Sequence, residues 1–271
     1  MKKCPNCGAE VEADSKFCTN CGAQLQENVA PESASAQPQP GAQRAVPAQP
    51  NGFTLYWKWL VDSWKRPTAK LDTEKWYGIT NILVVILLIT LTCWRLLSGI
   101  VTKSINSMSG SMGDISETAE HYANNALGGS IANISISIFF AILIGVACFI
   151  GFGILGRKFI YGEQIDVLAY INSIAQYSNY NVAISLLMFL LALISVDSVK
   201  FIGFLFVILY YVFLTAVLVP VIGNGKEKND KVWGTLITFL GLVIGSLIAY
   251  FIAKSAIMTV VNQLLSSLKL F

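Results

Sequence analysis

Four cysteines stand near the start of the chain in two knuckles, Cys4-Pro5-Asn6-Cys7-Gly8 and Cys18-Thr19-Asn20-Cys21-Gly22, ten residues apart. Each C-x-x-C turn aims two thiolates at one point, and the glycine after it permits the tight backbone that brings amides near the sulfurs. Four thiolates at about 2.3 Å complete a tetrahedral shell around Zn²⁺. Such a shell leaves no position for water, so one structural zinc is expected, held by Cys4, Cys7, Cys18 and Cys21. A module of about 25 residues cannot build a stable core unaided, so metal binding is expected to fold it. A pair of redox dithiols is the competing use of the same spacing.

The charges around the knuckles cancel: Lys2, Lys3 and Lys16 face Glu10, Glu12 and Asp14. A nucleic-acid reader shows a basic face, so a protein-docking ribbon is expected ahead of a nucleic-acid binder, with a structural cap as a further option. No H-E-x-x-H, P-loop, nucleophile elbow or paired-carboxylate constellation occurs, and the expectation is that the protein is not an enzyme. Gly151-Phe152-Gly153-Ile154-Leu155-Gly156 matches G-x-G-x-x-G by letter. A dinucleotide site needs a strand before it and a helix after it, whereas here the glycines close an apolar run, which points to helix packing. His121, the single histidine, sits in a polar loop with no partner triad.

The rest of the chain must position this module. Of 271 residues, 54% are hydrophobic and 13% charged, about half the charged share of a globular protein. No basic start, apolar core and small-residue cleavage site precedes the knuckles. The N-terminus is therefore expected in the cytosol, where thiols stay reduced. Residues 1–25 form the ribbon. Residues 26–52, rich in Ala, Pro and Gln, are expected to be a disordered tether spanning about 25–30 Å.

Residues 53–78 read as an amphipathic interfacial region. Phe53, Tyr56, Trp57, Leu60 and Trp64 fall on one helical face, with Lys58, Asp62 and Lys65 off it. Trp57, Trp59, Trp64 and Trp76 are expected to anchor it at the membrane interface; packing on the protein's own surface is the alternative. Pro67 should end the helix, since it biases Arg66 out of the α region.

Five spans are expected in a transmembrane domain over 79–253, at about 79–101, 131–155, 177–196, 201–222 and 232–253. The third has only 15 clearly apolar residues, Val182–Val196, roughly 22 Å of helix against a core of about 30 Å. It reaches across only if Tyr177–Asn181 supplies a polar first turn. With the N-terminus inside, five spans place ten lysines and arginines on the inner flanks and four on the outer, as the positive-inside rule requires. The C-terminus is then outside. Omitting the third span gives the same ten and four, so the five spans rest on hydropathy alone. Residues 254–271 carry an apolar stripe and form an amphipathic helix, lying flat on the outer surface or continuing the fifth span.

Within the spans, Arg95 is an ionisable residue and so a functional candidate, although it lies near the outer end and can snorkel. Gly241, Gly245 and Ala249 form a small-residue face that lets helices approach, within the chain or between copies.

At the knuckles, "YWKWLVDSWKRP" and "KWYGITNILVVILL", the chain resembles zinc-ribbon membrane proteins of Gram-positive bacteria. The ribbon matches at Cys4, Cys7, Cys18 and Cys21. The membrane half is similar to the five-span Yip family through "KFIYGEQIDVLAYINSIAQYSNYNVAISLLMFLLALI", an interfacial segment leading into a short span. Where that family often has a second Gly and a Pro, this chain has Gly162 alone and Asn179–Asn181.

The sequence thus implies an all-α polytopic membrane bundle of about five helices, with a small N-terminal zinc ribbon of short β-hairpins on a disordered linker. Its expected role is non-catalytic: in the cell membrane, the cytosolic ribbon docks a cytosolic or membrane protein partner, or acts in envelope sensing. A small transporter or channel is the alternative from another class, motivated by Arg95, the short third span and the glycines near 151–156. A membrane-tethered nucleic-acid binder is the weakest.

Overall fold

A computed structural model of the chain describes residues 2–3, 10–12, 15, 17, 19–20, 51–112 and 117–268. The chain divides into two units, Met1–Gln49 and Pro50–Phe271. In the first, β1 (Lys2–Lys3) pairs antiparallel with β2 (Glu10–Val11), with Lys2 opposite Val11 and Lys3 opposite Glu10. The linker expected over 26–52 lies outside the described residues as far as residue 50.

The second unit is helical throughout its described elements. α1 (Gly52–Lys65) begins where Asn51 Oδ1 accepts the amide of Thr54 at 2.8 Å. It stops before Pro67, with Arg66 at φ −144°, outside the helical region as the proline demands. α2 (Tyr77–Met112), α3 (Glu117–Tyr161), α4 (Val167–Tyr177) and α5 (Tyr180–Ile194) follow. A 3-10 turn at Val196–Ser198 leads to α6 (Val199–Ile222), and α7 (Lys231–Leu268) completes the chain.

Four helical segments are long and apolar enough to cross a membrane: Tyr77–Ser104, Gly128–Tyr161, Val196–Ile222 and Lys231–Thr259. α4 and α5 form a pair bent by 58°, and they make a fifth span if read as one. Here the structure departs from the expected third span. Its polar first turn is not the start of one helix over 177–196 but the place where α4 ends and α5 begins, and α4 adds length to the span only if the bent pair is one span. α5 alone has 15 residues, about 22 Å.

Of the two options for the C-terminal segment, the structure takes the continuous one: α7 runs through residues 254–268 without interruption. The polar stretch 102–130 is mostly helix, divided between the end of α2 and the start of α3. α2 therefore continues past Lys103, which pairs with Asp197 at 2.6 Å.

α3 and α7 run antiparallel with their backbones close together. Gly156 stands so near Gly234 that a Cβ on Gly156 would lie 2.4 Å from the Gly234 carbonyl oxygen. Farther along, a Cβ on Gly245 would meet Gly145 O at 3.0 Å, and one on Gly241 would run into Phe152. Gly234, Thr238, Gly241 and Gly245 line one buried stripe of α7. The small face thus packs within the chain, with the half-buried Ala249 at its continuation. Of the glycines in the G-x-G-x-x-G run, Gly153 sits against Tyr170 and Val217, and Gly156 belongs to the seam.

The Tyr161 end of α3 is closed by hydrogen bonds. Gly162, at φ 69°, takes the left-handed conformation that ends α3, and its amide bonds to Lys158 O at 2.8 Å. The Lys228 and Asn229 amides bond to Ile160 O at 2.7 and 3.0 Å, so the loop before α7 caps α3. Arg157 donates to Pro220 O, and Tyr161 OH to Ile222 O at 2.8 Å. These groups satisfy carbonyls that a helix C-terminus leaves unpaired.

The seam can be tested with two alanines. Gly156→Ala should destabilise the protein by about 1–3 kcal/mol, because two backbones must part. Gly151→Ala, where nothing lies within 4 Å of the new Cβ, should be neutral or stabilising by roughly 0.5–1 kcal/mol. Thermal unfolding in detergent measures both; equal losses would refute the close-packed seam.

Candidate functional site

The expected zinc ligands Cys4, Cys7, Cys18 and Cys21 lie outside the described residues. The described part of the ribbon supplies its frame. The β1–β2 pairing joins Lys3 to Glu10 and so brackets the first knuckle in the chain, while the amide of Ser15 bonds to Glu12 O at 3.1 Å between the knuckles. The donor set fits zinc by its chemistry: four thiols in two C-x-x-C pairs match a Cys₄ centre, with no ligand to be borrowed from elsewhere. Among the described residues, no group of three or more His, Cys, Asp or Glu side chains could hold a metal.

In the helical unit, the polar groups gather at the α4–α5 break. A chain in an apolar surround must satisfy its backbone internally. Here side chains of α4 and α5 bond to the backbone of α1, the segment after it and the start of α2, while Trp64 of α1 bonds back to the break. Asn172, one turn before Gln176 on α4, uses both ends of its amide. Its Oδ1 accepts from the Gly78 amide at 2.7 Å, and its Nδ2 donates to Glu74 O at 2.9 Å. Gln176 Nε2 donates to Pro67 O and Ala69 O at 2.6 and 2.7 Å. The segment joining α1 to α2 is thereby fastened along α4. At the break, Trp64 Nε1 donates to Asn179 O at 3.1 Å, Asn179 Nδ2 donates to Ser63 Oγ, and Tyr180 OH donates to Trp64 O at 2.6 Å. One turn later, Asn181 Nδ2 reaches Leu209 O on α6 at 3.2 Å. The Oδ1 atoms of Asn179 and Asn181 meet no donor among the described residues.

This bonding decides which face of α1 is covered. Tyr56, Trp59, Leu60 and Ser63 turn inward, and Trp59 is 3% exposed in a cluster with Leu60, Tyr77 and Ala175. Phe53 and Trp57, expected on a face lying in the headgroup region, are not covered by the protein, Trp57 being 54% exposed. The protein itself covers Trp59, Leu60 and Ser63, and Trp64 is half-buried with its indole N–H bonded at the break. Trp57 and Trp76, the latter 46% exposed, retain outward surface. Tyr56 stacks on Trp76, with centroids 5.8 Å apart, and its hydroxyl donates to Asn81 Oδ1 at 3.3 Å. Burial pushes the Tyr56 phenol above its ordinary pKa, which keeps it protonated as a donor.

Arg95 is half-buried near Gly99 and Val196 at the Lys103 end of α2, and no carboxylate among the described residues pairs with it. It is not brought to the break. Sequence reasoning missed Asn172, Gln176, Asn179 and Asn181 as a set. Their spacing was a usable signal, because amides at 172, 176 and 179 return to one side of a helix.

Residues 51–264 match a family described as a domain of unknown function, DUF6574. Residues 3–25 match the zinc-ribbon domain. No curated protein and no solved structure matches the chain. Neither family match speaks to the Gram-positive source or the Yip likeness expected from the sequence. The chain is a membrane protein with an N-terminal zinc ribbon and four to five apolar spans.

The ribbon's metal is testable directly. Purified full-length protein should carry one zinc per chain by elemental analysis, and Cys18→Ser/Cys21→Ser protein should carry less than a tenth of that. A chelator should abolish amide protection in residues 1–25 and leave α2–α7 unchanged. Protection of residues 1–25 that survives metal removal would refute metal-dependent folding.

Proposed function

From the premise that the chain belongs to the DUF6574 family, joined here to a zinc ribbon, we propose that it is a non-catalytic membrane adaptor. The ribbon, folded around one structural zinc in the cytosol, docks a protein partner, and the helical unit holds it at the membrane. The observation that carries this is the division at residue 49. A small module and a large apolar unit are separate units of one chain, joined by a segment whose Ala/Pro/Gln composition suits a tether. A Cys₄ shell has no open position for substrate, which favours docking over catalysis. Ten inner against four outer basic residues support a cytosolic N-terminus, and an outer C-terminus follows if the bent α4–α5 pair counts as one span. The near-neutral charge of the ribbon disfavours nucleic acid as the partner.

Crosslinking in native membranes tests this reading. Wild-type protein should capture a defined partner set that Cys18→Ser/Cys21→Ser protein loses, with equal amounts of both in the membrane. Identical sets would remove the ribbon as the docking module.

The broken α4–α5 pair favours a second reading, a small transporter or channel. Discontinuous spans often line substrate sites, and the break holds two amide oxygens that meet no donor among the described residues. Proteoliposomes loaded for sodium, potassium and proton flux would decide it. A conducting protein should lose at least about ten-fold of its flux on Asn179→Leu, whereas an adaptor shows no flux above empty liposomes.

A further inference from the structure

Beside the break lies a cavity of about 120 Å³. Ile86 of α2, Ile142 and Val146 of α3 and Phe213 of α6 wall it, and Asn81 and Asn181 give it polar atoms. We propose that this cavity binds a neutral, hydroxyl-bearing lipid whose hydroxyl donates to Asn181 Oδ1 and whose alkyl chain lies between α2, α3 and α6. The proposal does not depend on what the ribbon docks.

The polar end sets the head group. Asn181 is 2% exposed; its Nδ2 is committed to Leu209 O, and its Oδ1 meets no donor among the described residues. Buried amide oxygens are normally paired, so the site calls for a donor. Of the other polar groups on the wall, Ser178 Oγ donates to Ile174 O at 2.8 Å, and Asn81 Oδ1 accepts from Tyr56 OH at 3.3 Å. No charged side chain lines the cavity. An ionic head would therefore be stranded without a partner, at a heavy desolvation cost, so the head must be neutral.

The walls and the volume set the rest of the molecule. An apolar cavity of about 150 Å³ in another protein takes up benzene, so this smaller one holds a hydroxyl and about four carbons. Anything longer must leave by an opening. Phe206 and Tyr210 line the same cavity and are exposed on the outer side of α6. A chain leaving past them enters the surface that a bilayer covers, which identifies a lipid rather than a small water-soluble alcohol.

The test uses the full chain in phosphatidylcholine nanodiscs with a dodecanol carrying a diazirine on its chain. Saturable photolabelling is expected in peptides covering 81–89 and 206–213, with competition by unlabelled diacylglycerol. The methyl ether of the same probe keeps the chain and lacks the donor, and it should label on the order of five-fold less. Val146→Phe, which fills the cavity from α3, should abolish labelling, and Asn181→Leu should bring the alcohol down to the ether's level. Should Asn181→Leu fail to give monodisperse protein, the ether comparison and Val146→Phe decide. Equal labelling by alcohol and ether, labelling elsewhere in the chain, or labelling unchanged by Val146→Phe would each overturn the proposal.

Discussion

A helix can be interrupted in an apolar surround only if the backbone and side-chain groups at the interruption find partners inside the protein. That requirement organises the helical unit. At Ser178–Asn179 the local backbone meets part of it: the Ser178 amide closes α4 on Ile174 O, and the Asn181 amide bonds to Ser178 O at 2.8 Å. The rest comes from α1, which lies more than a hundred residues earlier. Trp64, Ser63 and Tyr180 join α1 to the turn, and Asn172 and Gln176 join α4 to the segment that follows α1. α1 is thus built into the membrane unit as part of the broken span's support. Its aromatic cluster with Tyr77 and Trp76 follows from that placement.

The two parts of the chain are stabilised by unlike means. The ribbon has too few residues for a core and depends on thiolate–metal bonds, which form only with the fold. The helical unit gains little from hydrophobic transfer once its outer faces are in lipid, and close backbone contact takes over as the source of cohesion. This explains why the most intimate contact in the unit lies between the glycine-bearing faces of α3 and α7.

Apolar run length made the long helices legible in the sequence. The cysteine spacing made the ribbon legible, because thiolate geometry is local. Pro67 likewise announced the end of α1 through its effect on Arg66. The α4–α5 break was not legible. Hydropathy averages over a window, and Tyr177–Asn181 appeared only as a polar start to a short apolar run. What makes it a break is pairing with Ser63 and Trp64, a contact between distant segments that no local pattern encodes. The covered arc of α1 was no more legible: hydrophobicity does not single out Ser63, which is covered where Asn179 Nδ2 donates to its hydroxyl. The small face of α7 was recognised, but its partner Gly145–Gly156 face on α3 becomes evident only when the two helices are set antiparallel.

The α3–α7 seam has a consequence for how the protein is made. α3 leaves the ribosome well before α7, and α4, α5 and α6 are synthesised between them. During that interval the glycine face of α3 has no partner and must rest against lipid or an insertion factor. Final closure of the seam waits for the last helix, although the Lys228–Asn229 cap on α3 is synthesised just before it. A chain truncated before Lys231 would therefore keep that cap and lose more than one span: it would leave the glycine face of α3 uncovered.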